Sequence, residues 1–409
     1  MVKPTITTRA ELTFKHNLNY GRHGWLRLTP AYSVKIVRQI LDENRWIKYV
    51  LEPFSGTGTT GLVCGEHGLA CDLIDINPFL IWLADVKTAN YAEKERLEAQ
   101  KVAQDIASQL IRNGKANDLW FPPIKNIERW WSSNRRSLLS QVHSELNKRL
   151  PDRTPAKDLL LIAFCRALIE WSNAAFNHQS MSFKETGPSL FNYDERENLL
   201  LGFLDVVSNV VQSAEQYIPG QVRATLSDSR CIPNPKNHLY DCVITSPPYP
   251  NRMSYIRELR PYMYWLGYLN EAREAGELDW QAIGGTWGIA TSRVGKWQPN
   301  GDTIEHGDFY RVIERIGEKS QVLANYVHKY FVDIVAHLTS VYRVLSSGGK
   351  VFYIVGNSKF YDTVVPVEEI YASLLKQTGF EETKIEILRR RSSKKELREV
   401  IVSAVKPLT

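Results

Sequence analysis

The segment Thr245-Ser246-Pro247-Pro248-Tyr249 gathers the residue types best suited to chemistry in this chain. Two consecutive prolines remove two backbone donors and stiffen the turn, so carbonyl oxygens are left to face a pocket. If Ser246 Oγ and the Pro247 carbonyl accept the two hydrogens of an exocyclic amine, its nitrogen moves toward tetrahedral geometry and its lone pair turns outward. The Tyr249 ring then offers a face on which an extracted base stacks. The plainer alternative is a rigid turn beside a core strand.

A second cluster lies about 190 residues upstream, where Phe54-Ser55-Gly56-Thr57-Gly58-Thr59-Thr60-Gly61 spells a GxGxxG pattern after an apolar stretch. Glycines at this spacing let backbone amides and a helix N-terminus approach a bound group closely. Leu62 stands where a Walker loop would carry its lysine, which excludes that phosphate site. Asp75 follows Gly56 by nineteen residues, at the end of the next strand, where a ribose diol needs an acceptor. Asp228 stands after a third strand, where an acid accepts from an adenine amino group, although an Asp-Ser turn is the bland reading. On these residues alone a nucleoside cofactor is expected, with NAD and S-adenosylmethionine equally placed.

The elements that must hold both clusters read as an α/β sheet. Strands are predicted at 48–54, 70–74, 223–226, 241–244 and 350–355, giving five parallel strands, and 383–388 with 399–405 alternate as an antiparallel hairpin. Between them, 93–219 has helical periodicity, and 270–319 is rich in Gly, Trp and charge without a clean period. The expected organisation is therefore 1–92 as an N-terminal segment and the first half of the catalytic domain, and 93–219 as a helical insertion suited to target recognition. Residues 220–269 form the second part of the core, 270–319 a loop-rich insertion suited to DNA contact, and 320–409 the end of the core.

The paired elements Phe54-Ser55-Gly56-Thr57-Gly58 and Ser246-Pro247-Pro248-Tyr249 resemble those of the S-adenosylmethionine-dependent amino-methyltransferases that act on DNA. The resemblance covers about half the chain. It implies a Rossmann-like seven-stranded sheet and S-adenosylmethionine as the cofactor, held by Phe54, Gly56, Gly58, Thr59 and Thr60, with Asp75 on the ribose and Asp228 near the adenine. It also implies that Thr29 and Pro30, in Leu28-Thr29-Pro30-Ala31-Tyr32, pack against the methionine end of the cofactor. The competing reading is that Pro30 simply starts a helix over 31–42. Thr-Ser-Pro-Pro-Tyr is seen in this family mostly in enzymes that form N4-methylcytosine, so a flipped cytosine is the expected target. The order of the motifs and the long insertions do not map neatly onto the family's classes.

Beyond the turn, Asn251, Arg252, Tyr255, Arg257 and Arg260 mix cationic, aromatic and hydrogen-bonding side chains and are expected to meet DNA. A helix with a solvated basic face is the alternative. Trp130, Trp131, Arg135 and Arg136, and Ser172, Asn173, His178 and Gln179, have a similar mix, for which core and surface roles are favoured. The basic run 389–395 suits either phosphates or a solvated hairpin tip.

Composition narrows the rest. With 409 residues, 43% hydrophobic and 23% charged, the chain has ample core material, and disorder, collagen and coiled coil fall away. Its net charge of +6 agrees with a polyanionic partner without requiring one. Five cysteines form no CxxC pair, so no structural metal is expected, and no Pro-Cys pair exists for carbon-5 cytosine chemistry. The first residues lack a signal-type apolar run, and the apolar stretch 159–167 is short and broken by Arg166, so a cytoplasmic protein without membrane contact is expected. The expected partners are double-stranded DNA and a cognate restriction endonuclease. The alternatives are N6-adenine methylation of DNA, methylation of RNA bases or protein glutamine, and a catalytically silent DNA-binding protein.

Overall fold

Strands β1 (Tyr49–Glu52), β2 (Ala70–Asp75), β3 (Val222–Leu226), β4 (Tyr240–Thr245), β5 (Leu345–Gly356), β6 (Glu381–Arg390) and β7 (Arg398–Val405) form one sheet in the order β3-β2-β1-β4-β5-β7-β6. This is seen in a computed structural model that describes residues 14–26, 32–113, 119–175, 182–183, 194–251, 253–299, 301, 303–390 and 396–408. The first five strands run parallel, and β7 is antiparallel to both β5 and β6. The expected five parallel strands and terminal hairpin are thus present, with the second hairpin strand inserted next to β5.

Burial explains the arrangement. β1 and β4 are almost wholly buried, as strands covered on both faces must be, and their apolar runs contain few polar interruptions. One face is covered by helix Val34–Glu43, capped by the Ser33 side chain, and helix Thr59–Glu66, which pack on Val50, Leu73 and Ile244. Because the first of these begins at Val34, Pro30 does not start it. Helices Gln321–Val344 and Val367–Gln377 cover the other face against Val243, Val351 and Val402. β6 is the exposed edge.

Two glycines after β1 are dictated by packing. Gly58 has φ +72°, and a Cβ there would meet Ala84 at 3.2 Å, while a Cβ on Gly61 would lie 2.5 Å from Leu73 Cδ1. The turn thus sits close against helix Pro78–Thr88 in a left-handed conformation that favours glycine, and the following helix sits against the Leu73 side chain of β2.

Residues 93–219 contribute helices Glu93–Asn113, Ser133–Arg149, Pro155–Glu170 and Asp194–Ser213. They share one apolar cluster with helix Pro78–Thr88 and helix Tyr255–Trp265. Trp130 and Trp131 are core residues here, 1% and 0% exposed. Residues 270–319 are more regular than their composition suggests, with short helices Ala272–Gln281, Ile289–Lys296 and Phe309–Gly317. The first carries a Glu271/Glu274 capping box. These helices are too short for a period to stand out among glycines and tryptophans.

Arg22 ties the first insertion to the core. It is fully buried, and its guanidinium donates to the carbonyls of Lys87 (3.1 Å), Ala89, Ser213 (3.4 Å), Ala214 (2.9 Å) and Gln216 (2.6 Å). These oxygens lie at the C-terminal ends of helices Pro78–Thr88 and Asp194–Ser213, where a positive charge is favoured by both dipoles.

Candidate active site

The C-terminal ends of β1 to β4 open into one cavity, a space of about 1000 Å³ when the open solvent at its mouth is included. This is where an open parallel sheet leaves room for a ligand. The turn after β1 forms its floor. Ser55 N–H donates to Ile74 O at 2.8 Å and Gly56 N–H to Asp75 Oδ2 at 3.0 Å, which stitches the turn to the end of β2. Helix Thr59–Glu66 starts at Gly58 without a side-chain cap, so its first amides remain available toward the cavity side of the turn.

Phe54, Gly56, Thr59, Asp75 and Asp228 line the cavity, whereas Gly58 and Thr60 do not. Gly58 makes the turn, and Thr60 lies beneath it with its hydroxyl donating to Glu52 Oε2 at 2.9 Å. Burial pushes the Asp75 carboxyl up to about 6, against hydrogen bonds from Asn77, Gly56 and Ile76 that favour the anion. Asp228 pairs through both oxygens with Arg230, at 2.7 Å for the closest approach, and this pairing outweighs its desolvation and holds it below the usual carboxylate range. Arg230 is anchored in turn by Asp333 and the Gln281 carbonyl. Thr29 and Pro30 lie outside the described residues, but Tyr32 beside them reaches the cavity.

The proline-rich turn follows β4. Ser246 and Pro248 line the cavity, and Pro247 is buried next to them. Among the described residues no hydrogen bond engages the Ser246 hydroxyl or the Pro247 carbonyl. The Pro248 carbonyl, by contrast, accepts from Tyr330 OH at 2.8 Å, whose own oxygen accepts from Tyr371 OH at 2.8 Å. Tyr249 is held through its hydroxyl, which donates to Glu399 Oε1 at 3.0 Å, and Glu399 pairs with Arg389 at 2.6 Å. That pairing accounts for one member of the basic run, and 391–395 lie outside the described residues.

Of the residues expected to meet DNA, Tyr255 lines the cavity, Asn251 and Arg257 are half-buried and are not among its lining residues, and Arg252 lies outside the described residues. Arg260 departs from the expectation. Its guanidinium sits 5.5 Å from the Trp130 ring and 5.3 Å from the Trp287 ring, so it clamps the first insertion to the second. Arg135 pairs with Glu195 and Arg136 lies over Phe121; Ser172 donates to the Ile169 carbonyl and Asn173 to that of Arg129, and His178 and Gln179 are outside the described residues.

Sequence reasoning missed several cavity residues. Ser55 Oγ is buried without a hydrogen-bond partner while Ser55 lines the cavity. An orphaned hydroxyl beside Gly56, Asp75 and an uncapped helix start fits a nucleoside-bearing cofactor that supplies the missing polar partner. The far wall comes from the second insertion, with Asp279, Gln281, Gly284 and Gly285 lining the space. Asp279 is 1% exposed and accepts from Ser254 Oγ and, at 2.6 Å, from Trp287 N–H. A Cβ on Gly285 would lie 1.6 Å from the Asp279 carbonyl oxygen. Gly285→Ala is expected to shift this wall and lower stability by about 1–3 kcal/mol, measured by chemical denaturation; an unchanged midpoint would mean the loop relaxes freely.

Behind the floor, His337 is fully buried, 4.8 Å from the Phe54 ring. Its Nδ1 donates to Ser229 O at 3.1 Å and its Nε2 accepts from Tyr353 OH at 2.9 Å, a tautomer set by the carbonyl partner. Burial pushes it down to about 4, so the folded state binds less proton than the unfolded state between about pH 4 and 6.5. Stability from His337 is therefore complete above about 6.5 and lost as pH falls toward 4, by on the order of 3 kcal/mol. Urea midpoints across this range should fall less steeply for His337→Gln than for wild type, and parallel curves would refute the assignment.

A seven-stranded, mainly parallel sheet in this order, with its cavity at the strand ends between a glycine turn and a proline-rich turn, is a Rossmann-like methyltransferase fold. The chain is similar to three type II methyltransferases. M.AvaI of Anabaena variabilis is 22% identical over 411 residues, covering 93% of this chain and 83% of its own length. M.BsoBI of Geobacillus stearothermophilus is 22% identical over 438 residues, with 96% and 85% covered, and M.MvaI of Kocuria varians is 22% identical over 396 residues, with 91% and 82% covered. The similarity to type II methyltransferases thus extends along almost the whole chain. No protein-family model matches it. Among solved structures, an rRNA methyltransferase from Streptomyces viridochromogenes matches at 12% identity and TM-score 0.28, covering 95% of this chain and 92% of that one, a likeness too slight to carry an argument. No described helix is long and apolar enough to cross a membrane, and no group of His, Cys, Asp or Glu among the described residues has the makings of a metal site.

Proposed function

We propose that this protein is a type II DNA methyltransferase that modifies the exocyclic amine of a base flipped out of duplex DNA, with cytosine N4 as the target, as the modification enzyme of a restriction system. The observation that carries the reading is the free acceptor pair at the catalytic turn. Ser246 Oγ and the Pro247 carbonyl have no partner among the described residues, while the neighbouring Pro248 carbonyl is already engaged by Tyr330.

The bound cofactor, S-adenosylmethionine, supplies an electrophilic methyl group. Phe54, Ser55, Gly56, Thr59 and Asp75 would hold its nucleoside part, Asp228 its adenine, and Thr29 and Pro30 its methionine end. Ser246 and Pro247 accept the amine hydrogens and keep the nitrogen lone pair aimed into the cavity. Tyr249, steadied by Glu399, stacks on the base. Alignment and exclusion of water carry the rate, and no strong base is needed. Asn251, Arg252, Tyr255 and Arg257 would contact the DNA; the helical insertion 93–219 recognises the target, and 270–319 makes DNA contact beside the base. A separate endonuclease partner and a cytoplasmic setting follow from the restriction role.

Purified protein incubated with unmethylated DNA and S-adenosylmethionine, followed by nucleoside mass spectrometry, is expected to yield 4-methylcytosine. 6-Methyladenine would keep the mechanism and replace the base, and no methylated nucleoside would overturn the reading.

A further inference from the structure

Glu52 ends β1 and is fully buried, yet it does not line the cavity. Its four hydrogen-bond donors belong to separate pieces of the site. Oε1 accepts from the Phe54 N–H at 3.0 Å, where the cofactor turn begins, and from Thr245 Oγ1, one residue before Ser246. Oε2 accepts from Thr60 Oγ1 at 2.9 Å, in the first turn of the following helix, and from Tyr32 OH at 2.5 Å, whose residue lines the cavity. Thr60 and Thr245 are both 0% exposed, so water competes for neither threonine hydroxyl.

We infer that Glu52 is a positioning residue whose carboxylate holds the cofactor turn and the catalytic turn in fixed register, keeping donor and acceptor sites at their working distance. The inference rests on the methyltransferase reading. Both turns follow adjacent parallel strands, but the strand hydrogen bonds stop short of them: the β1–β4 pairing covers Val50 with Cys242 and Leu51 with Val243. Beyond that point the Glu52 carboxylate is a shared anchor for both turns. A misplacement of about 1 Å between reacting groups costs about 10²-fold in rate, so slack on the catalytic side is paid in transfer rather than in binding.

Two isosteric substitutions separate this role from simple stabilisation. Thr245→Val releases the catalytic side alone. Its single-turnover transfer rate, at saturating DNA and cofactor, is expected to fall about tenfold or more, while S-adenosylhomocysteine affinity, read by calorimetry, stays within about threefold of wild type. Thr60→Val releases the cofactor side, and its S-adenosylhomocysteine Kd should rise about tenfold. The double variant should be non-additive, because both hydroxyls act through one carboxylate. Glu52→Gln keeps an acceptor for Phe54 and Thr245 and turns an amide donor toward Tyr32 and Thr60, so it should transfer faster than Glu52→Ala. If each threonine variant lowers rate, affinity and melting temperature together, or changes none of them, the positioning role is overturned. If wild type methylates no DNA, the functional reading fails and takes this inference with it.

Discussion

Ser246→Ala is expected to transfer methyl groups about 10²- to 10³-fold more slowly than wild type while binding S-adenosylhomocysteine with unchanged affinity. The size follows from the scarcity of acceptors at the turn. The prolines contribute no N–H, and Tyr330 occupies the Pro248 carbonyl. Two acceptors then remain for the two hydrogens of the amine, and alanine leaves one hydrogen without a partner. The amine stays conjugated with its ring, its lone pair delocalised. Since Ser246 packs on none of the glycine-turn residues through a hydrogen bond, the cofactor side should not register the change. Single-turnover assays and calorimetry on the same preparation test both halves, and a variant as fast as wild type would remove Ser246 from the chemistry.

The largest loss of stability is expected from Arg22→Met. Five carbonyl oxygens converge on the guanidinium, those of Lys87 and Ala214 in buried hydrogen bonds, and methionine fills the space without a donor. Burial lowers the Arg22 pKa to about 10, so the group remains charged at neutral pH and carries the interaction with both helix ends. The Trp25 and Tyr91 rings, at 5.6 and 5.4 Å, lose their cation as well. The combined cost is about 4 kcal/mol, near the range seen when one partner of a buried charged pair is removed. For a chain of this length that corresponds to a drop of roughly 5 °C in the melting temperature. Differential scanning calorimetry measures it, and a drop below about 1 °C would show that water satisfies the carbonyls.

What could be read from the sequence was local. β1, β2 and β4 announce themselves because each is a short apolar run stopped by Gly, Pro or Asp, and the functional turns are those stops. Asp75 was placed at the cavity because nineteen residues from Gly56 is one strand, one helix and the next strand. The contacts that were missed join residues far apart in the chain. Thr245 reaches Glu52 across 193 positions and Arg22 reaches Gln216 across 194, so no periodicity records either. Glu52 did leave a trace, as a carboxylate at the end of an otherwise apolar strand, where an acid is costly unless several donors meet it. Arg260 misled because a cation near the catalytic turn looks the same in sequence whether it faces phosphate or lies between two indoles. Asp279 and Gly285 gave no local sign, since their place in the wall depends on how helix Ala272–Gln281 docks.

The two insertions differ in their stake in the cavity. Among the described residues none that lines the cavity comes from 93–219, whereas the second insertion supplies the wall from Asp279 to Gly285. Grafting a relative's helices onto this core at the first site would exchange a surface and reach the chamber only through the apolar contacts with helices Pro78–Thr88 and Tyr255–Trp265, which carry the lining residues Leu80 and Ile256. Grafting at the second would import a foreign chamber wall, so over evolutionary time the second insertion must change in step with the core, while the first need only keep those apolar contacts.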